Sequence, residues 1–154
     1  SLRRRFRLAS SSLKSLISHF NMATIFTKIA NGEIPSWKVA ENEDYYAFLD
    51  IAPMAKGHTL VIPKKVEDDY IFNLDDATYA GLMMTAKKIA AAIKESTNCK
   101  RVGVTVLGME VPHVHMHLIP ISKEGDMSFS NPKMSLPAEE MAEIANSIAQ
   151  AISC

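Results

Sequence analysis

The chain has 154 residues, of which 47% are hydrophobic, and its acidic and basic residues balance to a formal net charge of zero. This size and composition indicate one globular domain. Two cysteines are too few for a disulfide scaffold, and the lack of a run of about 18 apolar residues argues against a membrane-spanning helix.

The zero net charge is the sum of two unlike parts. Residues 1–21 carry five basic residues and no acidic one, whereas the other 133 residues carry 12 basic and 17 acidic residues. The larger part is therefore mildly acidic, which argues against a protein that binds nucleic acid.

Residues 1–21 differ from the rest of the chain in composition. They are rich in arginine and serine, and apolar residues recur at helical spacing, as in a mitochondrial transit peptide. Because Met22–Phe26 resembles a natural start, we expect 1–21 to be an upstream-translated or vector-derived leader outside the core. A genuine targeting segment and a structural first helix are the alternatives. We expect the domain to span 22–154 and to reside in the cytoplasm, or in the mitochondrion if the leader is a transit segment.

The first half of this domain predicts a short helix and three strands. Thr24–Asn31 predicts the helix, which Gly32 closes. The predicted strands are Lys38–Glu41, Tyr45–Asp50 and Thr59–Ile62.

The second half predicts two longer helices and two more strands. Asn73–Asn98 carries an apolar stripe at spacings of three and four, and a second such stripe follows Pro137. A strand is expected at Lys100–Leu107, and the next one holds the histidines described below. Ser122–Ser135 is a polar loop long enough to be functional or mobile.

Three histidines, His113, His115 and His117, alternate with apolar residues just before Leu118–Pro120. Successive side chains of a strand point to opposite faces, so the three imidazoles share one face. We therefore expect a half-buried strand with a row of imidazoles on its open face.

Imidazole at neutral pH serves as a nucleophile, a proton shuttle or a metal ligand. Four steps of strand separate His113 from His117, about 13 Å. A zinc–imidazole bond is only about 2.0–2.1 Å long, so one ion cannot bind all three. The row suits a phosphate chain laid along the strand better, while a solvated face and a two-histidine metal site are the alternatives.

This stretch resembles the signature of the histidine triad superfamily: histidine, apolar, histidine, apolar, histidine, then two apolar residues. Gly57–Lys65 and Ile25–Pro35 are similar to two earlier segments of the same family. The resemblance implies an α+β fold with an antiparallel sheet of about five strands and two main helices. It also implies a homodimer whose sheet continues across the interface.

The resemblance further implies roles for nine residues. His115 is expected to be the nucleophile, with a backbone carbonyl near His113 as the acceptor that orients it. The expected supporting catalytic and nucleotide-binding residues are His58, His113, His117, Phe26, Ile29, Phe48, Asp50 and Ile51. Asp50 would bind the ribose hydroxyls and the apolar residues the base, which the resemblance implies to be a purine.

The implied reaction is attack on the α-phosphate of a nucleoside 5′-phosphate derivative through a nucleotidyl-histidine, with release of a nucleoside monophosphate. The leaving group could be an amine, an acyl group or a second nucleotide, and no metal or cofactor is expected. The loop Gly108–Pro112 departs from the family pattern, since Met109 and Glu110 replace polar residues that help to hold phosphate. A nucleotide-binding or regulatory protein with little turnover is therefore one alternative, and a metal-dependent hydrolase is another.

Overall fold

The computed structural model describes residues 24–65 and 68–153. Residues 1–21 lie outside the described residues, so their role as a leader stays a prediction. Within the described ranges the α-helices are α1 (Ile25–Ala30), α2 (Asp76–Thr97) and α3 (Ala138–Ala151). The strands in the same ranges are β1 (Lys38–Glu41), β2 (Tyr45–Leu49), β3 (Thr59–Pro63), β4 (Arg101–Thr105) and β5 (Met116–Ile121).

The five strands form one sheet in the order β1-β2-β3-β5-β4, and every neighbouring pair is antiparallel. This confirms the predicted α+β class. The register pairs Phe48 with Leu60, Leu60 with His117, and His117 with Thr105. These four side chains therefore form a row across one face of the sheet, which we call the histidine face.

The opposite face, the helical face, is covered by α2 and α3. Its main cluster joins strand residues such as Val61 and Leu118 to Leu82 of α2 and Ile148 of α3, all fully buried. Asp75 caps α2 by accepting a hydrogen bond of 2.8 Å from the backbone N–H of Thr78. The predicted apolar stripe of this helix is thus the surface that packs on the sheet.

The histidine face is covered in part by α1. Phe26 and Ile29, three residues apart, pack against strand residues that include Phe48 and Leu60. Thr24 caps this helix by accepting a hydrogen bond from the backbone N–H of Phe26 at 3.2 Å. The predicted helix is confirmed with ends one residue inside the expected limits.

The expected strand of three histidines is wrong in two respects. β5 begins at Met116, so only His117 lies in a regular strand, because the chain upstream is bent where the backbone N–H of His113 donates to the carbonyl of Val111. The imidazoles are also not on an open face, since His113, His115 and His117 are only 0%, 7% and 7% exposed. The alternation itself is confirmed, because Val114 and Met116 point into the helical-face core.

Other boundaries shift by a few residues. A 3₁₀ turn at Ile71–Asn73 precedes α2, so that helix begins at Asp76 rather than Asn73. The polar loop after the triad contains a second 3₁₀ turn, Glu124–Met127. Among the described helices, none is both long and apolar enough to span a membrane.

Candidate active site

A cleft of about 520 Å³ opens on the histidine face. Its walls come from α1, the end of β2, the loop before the triad, the triad itself and the loop after β5. Seven of the nine predicted site residues line it: Phe26, Ile29, Phe48, Asp50, Ile51, His115 and His117. The other two, His113 and His58, are buried directly behind His115 and His117. The structure therefore brings all nine residues together.

The ring of His115 has a defined tautomer. Its Nδ1 lies 2.7 Å from the backbone carbonyl oxygen of His113. A carbonyl only accepts, so Nδ1 carries the proton and donates it. The other ring nitrogen, Nε2, is therefore unprotonated and has a free lone pair in the neutral ring. The carbonyl oxygen of His113 is thus in the place expected for the acceptor that orients His115.

His113 is held from both sides and is completely buried. Its Nε2–H donates to the carbonyl of Pro63 at 2.8 Å, which leaves Nδ1 to accept from the hydroxyl of Thr24 at 3.3 Å. Burial lowers the pKa of His113, so the ring is neutral. This ring links α1 to the end of β3 and thereby fixes the carbonyl that orients His115.

His58 and His117 form a directed pair. The backbone N–H of Met54 donates to Nδ1 of His58 at 3.1 Å, so His58 carries its proton on Nε2. That Nε2–H donates to Nδ1 of His117 at 2.9 Å. Neutral His117 therefore carries its own proton on Nε2. The pKa of each ring is lowered to about 4, mainly by burial, with smaller contributions from Lys133 at His58 and from the neighbouring rings of His58 and His115 at His117.

Asp50 follows the last residue of β2 at the edge of the cleft. One carboxylate oxygen accepts from the backbone N–H of Ala52 at 2.9 Å, and the other lies 3.6 Å from Nε2 of His58. Burial raises the pKa of this carboxyl group, whereas the hydrogen bond to Ala52 and the neighbouring histidines oppose the rise. The carboxylate thus keeps an acceptor surface toward the cleft.

Asp50, His58 and His117 also form a group of possible metal ligands, with ligand atoms within 4.8 Å of one another. His115 is outside this group. Among the described residues, the three histidines of the row do not form such a group, and a metal would instead combine one of them, His117, with His58 and Asp50. Both nitrogens of His58 are already hydrogen-bonded, so a metal would displace one of these bonds.

The apolar part of the cleft is built around Phe26 and Phe48. Their ring centroids lie 5.6 Å apart with an edge-on geometry, and the ring of Phe26 is 5.0 Å from that of His115. Ile29 lies on the same wall, while Ile51 stands at the mouth with 75% of its surface exposed. A flat apolar group that enters here would come to rest beside His115.

The sequence did not reveal that Phe129 and Lys133 line the cleft. The ring of Phe129 lies 5.0 Å from that of His117, and Nζ of Lys133 lies 5.6 Å from the centroid of Phe129. Both belong to the loop after β5, whose sequence has no periodic pattern to reveal them. Met109 and Glu110, of the loop before the triad, are exposed and line the other rim.

A larger cavity of about 720 Å³ lies elsewhere, between the end of α2 and α3. It contains Cys99 and the ion pair of Lys56 with Glu140, but none of the site histidines. We place the candidate site in the smaller cleft because the oriented imidazoles are there.

The chain is similar in sequence to known proteins over most of its length. A family model described as the HIT domain matches residues 31–124. An adenosine 5′-monophosphoramidase of Schizosaccharomyces pombe is 36% identical over 133 residues, which are 85% of this chain and 99% of that protein. One of Saccharomyces cerevisiae is 43% identical over 99 residues, which are 64% of this chain and 62% of that protein.

Solved structures show the same fold. The crystal structure of a Hit-like protein from Bartonella henselae, described as involved in cell-cycle regulation, matches with a TM-score of 0.70. It is 32% identical, and the match covers 84% of this chain and 96% of that one.

Proposed function

The chain belongs to the HIT-domain family, and from that premise we propose that it is a nucleotide hydrolase that forms a covalent nucleotidyl-histidine at His115. The observation that carries the proposal is the hydrogen bond from His115 Nδ1 to the His113 carbonyl, because it leaves Nε2 unprotonated beside the cleft. The names of the two yeast relatives support adenosine 5′-phosphoramidates as one substrate class.

The first step is a displacement at the α-phosphorus. Nε2 of His115 forms a bond to phosphorus, and the bond between phosphorus and the leaving group breaks with its electron pair. A water molecule gives a proton to the leaving group, and the resulting hydroxide attacks the phosphorus of the nucleotidyl-histidine. The phosphorus–nitrogen bond then breaks, which frees His115 and releases the nucleoside monophosphate. Covalent catalysis of this kind divides one difficult displacement into two easier ones.

His117 and His58 position a donor on the leaving-group side. Nδ1 of His117 accepts the hydrogen bond from Nε2–H of His58, so His117 carries its own proton on Nε2. It presents this N–H to the departing atom or to a phosphoryl oxygen. A fixed N–H donor is more useful here than a freely rotating one, because it needs no reorganisation as charge develops. In this proposal His113 does not touch the substrate and serves to hold its own carbonyl in place.

The nucleoside half of the substrate occupies the apolar end of the cleft. Phe26 and Phe48 contact the base, with Ile29 behind it and Ile51 at the mouth. Asp50 accepts hydrogen bonds from the ribose hydroxyls, since an ionised carboxylate has two oxygens and only accepts. The purine preference rests on the family resemblance.

The proposal is tested by mixing the protein with adenosine 5′-phosphoramidate and measuring AMP. The reaction is quenched without acid, which would hydrolyse the phosphorus–nitrogen bond. Mass spectrometry should then show an added adenylyl group on the peptide that contains His115. His115→Ala should remove both the adduct and at least about 99.9% of the turnover, the scale of loss when a covalent nucleophile is deleted. Equal turnover by the variant would refute the assignment.

Two alternatives predict different results in the same assay. A metal-dependent hydrolase that uses Asp50, His58 and His117 would lose its turnover on addition of a chelator, and the proposed mechanism would not. A nucleotide-binding protein would bind AMP tightly without releasing product or forming the adduct. The exposed Glu110 at the cleft rim is the feature that favours this second alternative, because it repels phosphate.

We also propose a homodimer in the cytoplasm. β4 is an edge strand, and its Val104 is 52% exposed, as expected for a strand that pairs with a second copy. Sedimentation equilibrium would test the oligomeric state, and a monomer would refute it.

A further inference from the structure

We propose that the loop after β5, residues 122–135, forms a subsite for an anionic leaving group, with Lys133 as the residue that recognises it. This inference rests on the nucleotide chemistry proposed above, and it narrows the substrates to nucleoside 5′-phosphate derivatives whose departing part carries a negative charge. A terminal phosphate or a carboxylate on the departing amine would meet this requirement.

The loop has a fixed course over the histidine face. Gly103 of β4 lies on the same face as Thr105 and His117, and a Cβ at Gly103 would clash with the sulfur of Met127. The missing side chain thus makes room for Met127 to rest on the sheet. Further along, the backbone N–H of Met134 donates to the carbonyl of Pro53 at 2.8 Å. The loop is therefore held at both ends beside the cleft.

Between these two anchors the chain presents Phe129 and Lys133 to the cleft. The ring of Phe129 packs edge-on against His117, whose N–H faces the departing atom in the proposed reaction. Nζ of Lys133 donates to the carbonyls of Phe129 and Asn131 at 2.7 and 3.0 Å. An ammonium group has three donors, so one N–H is left to point toward a ligand.

The charge balance of the cleft gives Lys133 its importance. Among the described residues that line the cleft, it is the one lysine or arginine, whereas Asp50 and Glu110 are both acidic. His58 and His117 are neutral at pH 7 because burial holds their pKa at about 4. A substrate with two or more negative charges therefore meets its compensating positive charge at Lys133, next to His117.

The field of Lys133 reaches the reacting groups. Burial raises the pKa of Asp50 and lowers that of His58, and the ammonium of Lys133 lowers the pKa of both groups. The contact of Lys133 with the ring of Phe129, which packs on His117, places this positive charge at the leaving-group side. Met109 and Glu110 on the opposite rim carry no positive charge, so the positive charge of the described lining comes from the side of Lys133.

The first test measures equilibrium binding and does not require turnover. Dissociation constants are determined by calorimetry for AMP and for the non-hydrolysable adenosine 5′-(α,β-methylene)diphosphate. The native chain should bind the diphosphate analogue about 3- to 10-fold more tightly than AMP, the range expected for one partly exposed charge-assisted contact. Lys133→Met should abolish this ratio, and Lys133→Arg should keep most of it.

The second test measures turnover with two matched adenosine phosphoramidates, one made with β-alanine and one with its neutral amide. The native chain should favour the β-alanine substrate in kcat/KM by a similar factor, and Lys133→Met should remove the preference. Lys87→Met is the matched control, because it removes an exposed lysine from α2 behind the helical face. It should leave both ratios unchanged.

The outcomes separate this inference from the proposed function. If no AMP is released from either substrate, the hydrolase proposal fails, and the binding ratio still decides whether Lys133 recognises an anion. If Lys133→Met keeps the native binding ratio, or if the native chain does not favour the diphosphate analogue, the subsite assignment is overturned. A loss of the ratio in Lys87→Met as well would also overturn it, because bulk charge would then be the cause.

Discussion

The two faces of the sheet are built from the same strands but are packed in different ways. On the helical face, Val61 and Leu118 meet the apolar stripes of α2 and α3, and the contacts are almost entirely hydrophobic. On the histidine face, short α1 and the loop after β5 cover four buried imidazoles that hydrogen-bond to each other, to backbone carbonyls and to Thr24.

This difference separates stability from chemistry. Apolar burial is non-directional, so the helical face tolerates small shifts as long as its volume is filled. Hydrogen bonds between buried rings are directional, and each ring nitrogen on the histidine face has one definite partner or faces the cleft. A small repacking of the helical face should therefore leave the hydrogen bonds of the histidine face intact.

The largest expected effect comes from a cavity in the helical face. Leu82→Ala removes a fully buried side chain and should lower the free energy of unfolding by about 2–5 kcal/mol. Urea denaturation measures this change. Turnover per folded molecule at 20 °C should stay within about twofold of the native value, because Leu82 is on the far side of the sheet from the rings. A large fall in turnover of the folded variant would show that the two faces are not separable.

The next effect is the pH dependence of the free energy of unfolding, which reports on the buried rings of the histidine face. His58 and His117 have a pKa of about 4 in the folded chain because they are buried, against about 6.5 when unfolded. Below pH 6.5 the unfolded chain binds protons that the folded chain does not, so their stabilising contribution is complete above this pH. It is lost as the pH falls toward 4, and we expect a decrease of about 2 kcal/mol for each ring between pH 7 and 4.5.

The control for this prediction is His58→Gln, which removes one of the two groups. Its unfolding free energy, measured by urea titration at each pH, should depend less steeply on pH than that of the native chain. An equal dependence on pH in the variant and the native chain would mean that surface carboxylates, not the buried rings, cause the loss of stability in acid.

The smallest of the three effects concerns the ribose. Asp50→Asn keeps the shape of the side chain but replaces one acceptor oxygen by an amide donor, so the KM for adenosine 5′-phosphoramidate should rise about 10-fold. The 2′-deoxy substrate should show a smaller increase, because it has one hydroxyl fewer to lose. Steady-state kinetics measure both values, with Glu95→Gln on the exposed side of α2 as the charge control. An equal increase for both substrates would place the ribose elsewhere.

Much of the fold could be predicted because the patterns are local. The stripes of α2 and α3 and the alternation around the triad each depend on a regular spacing that the chain alone determines. The start of β5 could not be predicted in this way. The bent segment before it is held by bonds from His113 to Pro63 and Thr24, which are 50 and 89 residues distant in sequence.

The site could also be predicted in part. The alternation of histidines placed His115 and His117 on one face, and the resemblance placed Asp50, Phe26 and Phe48 near them. Phe129 and Lys133 were not predictable, because their position depends on the gap at Gly103 that admits Met127. A glycine in a strand is consistent with many other causes, so its partner becomes apparent only in three dimensions.

The oxygen that orients His115 belongs to the main chain. Every amino acid supplies that same oxygen, so no ordinary point mutation deletes it, and exchanging the residue at position 113 can only move it. Chemical synthesis offers the direct intervention, since a thioamide at this peptide bond would weaken the acceptor while leaving every side chain intact. The orientation of His115, the proposed nucleophile, is thereby protected against mutation in a way that the surrounding imidazoles are not.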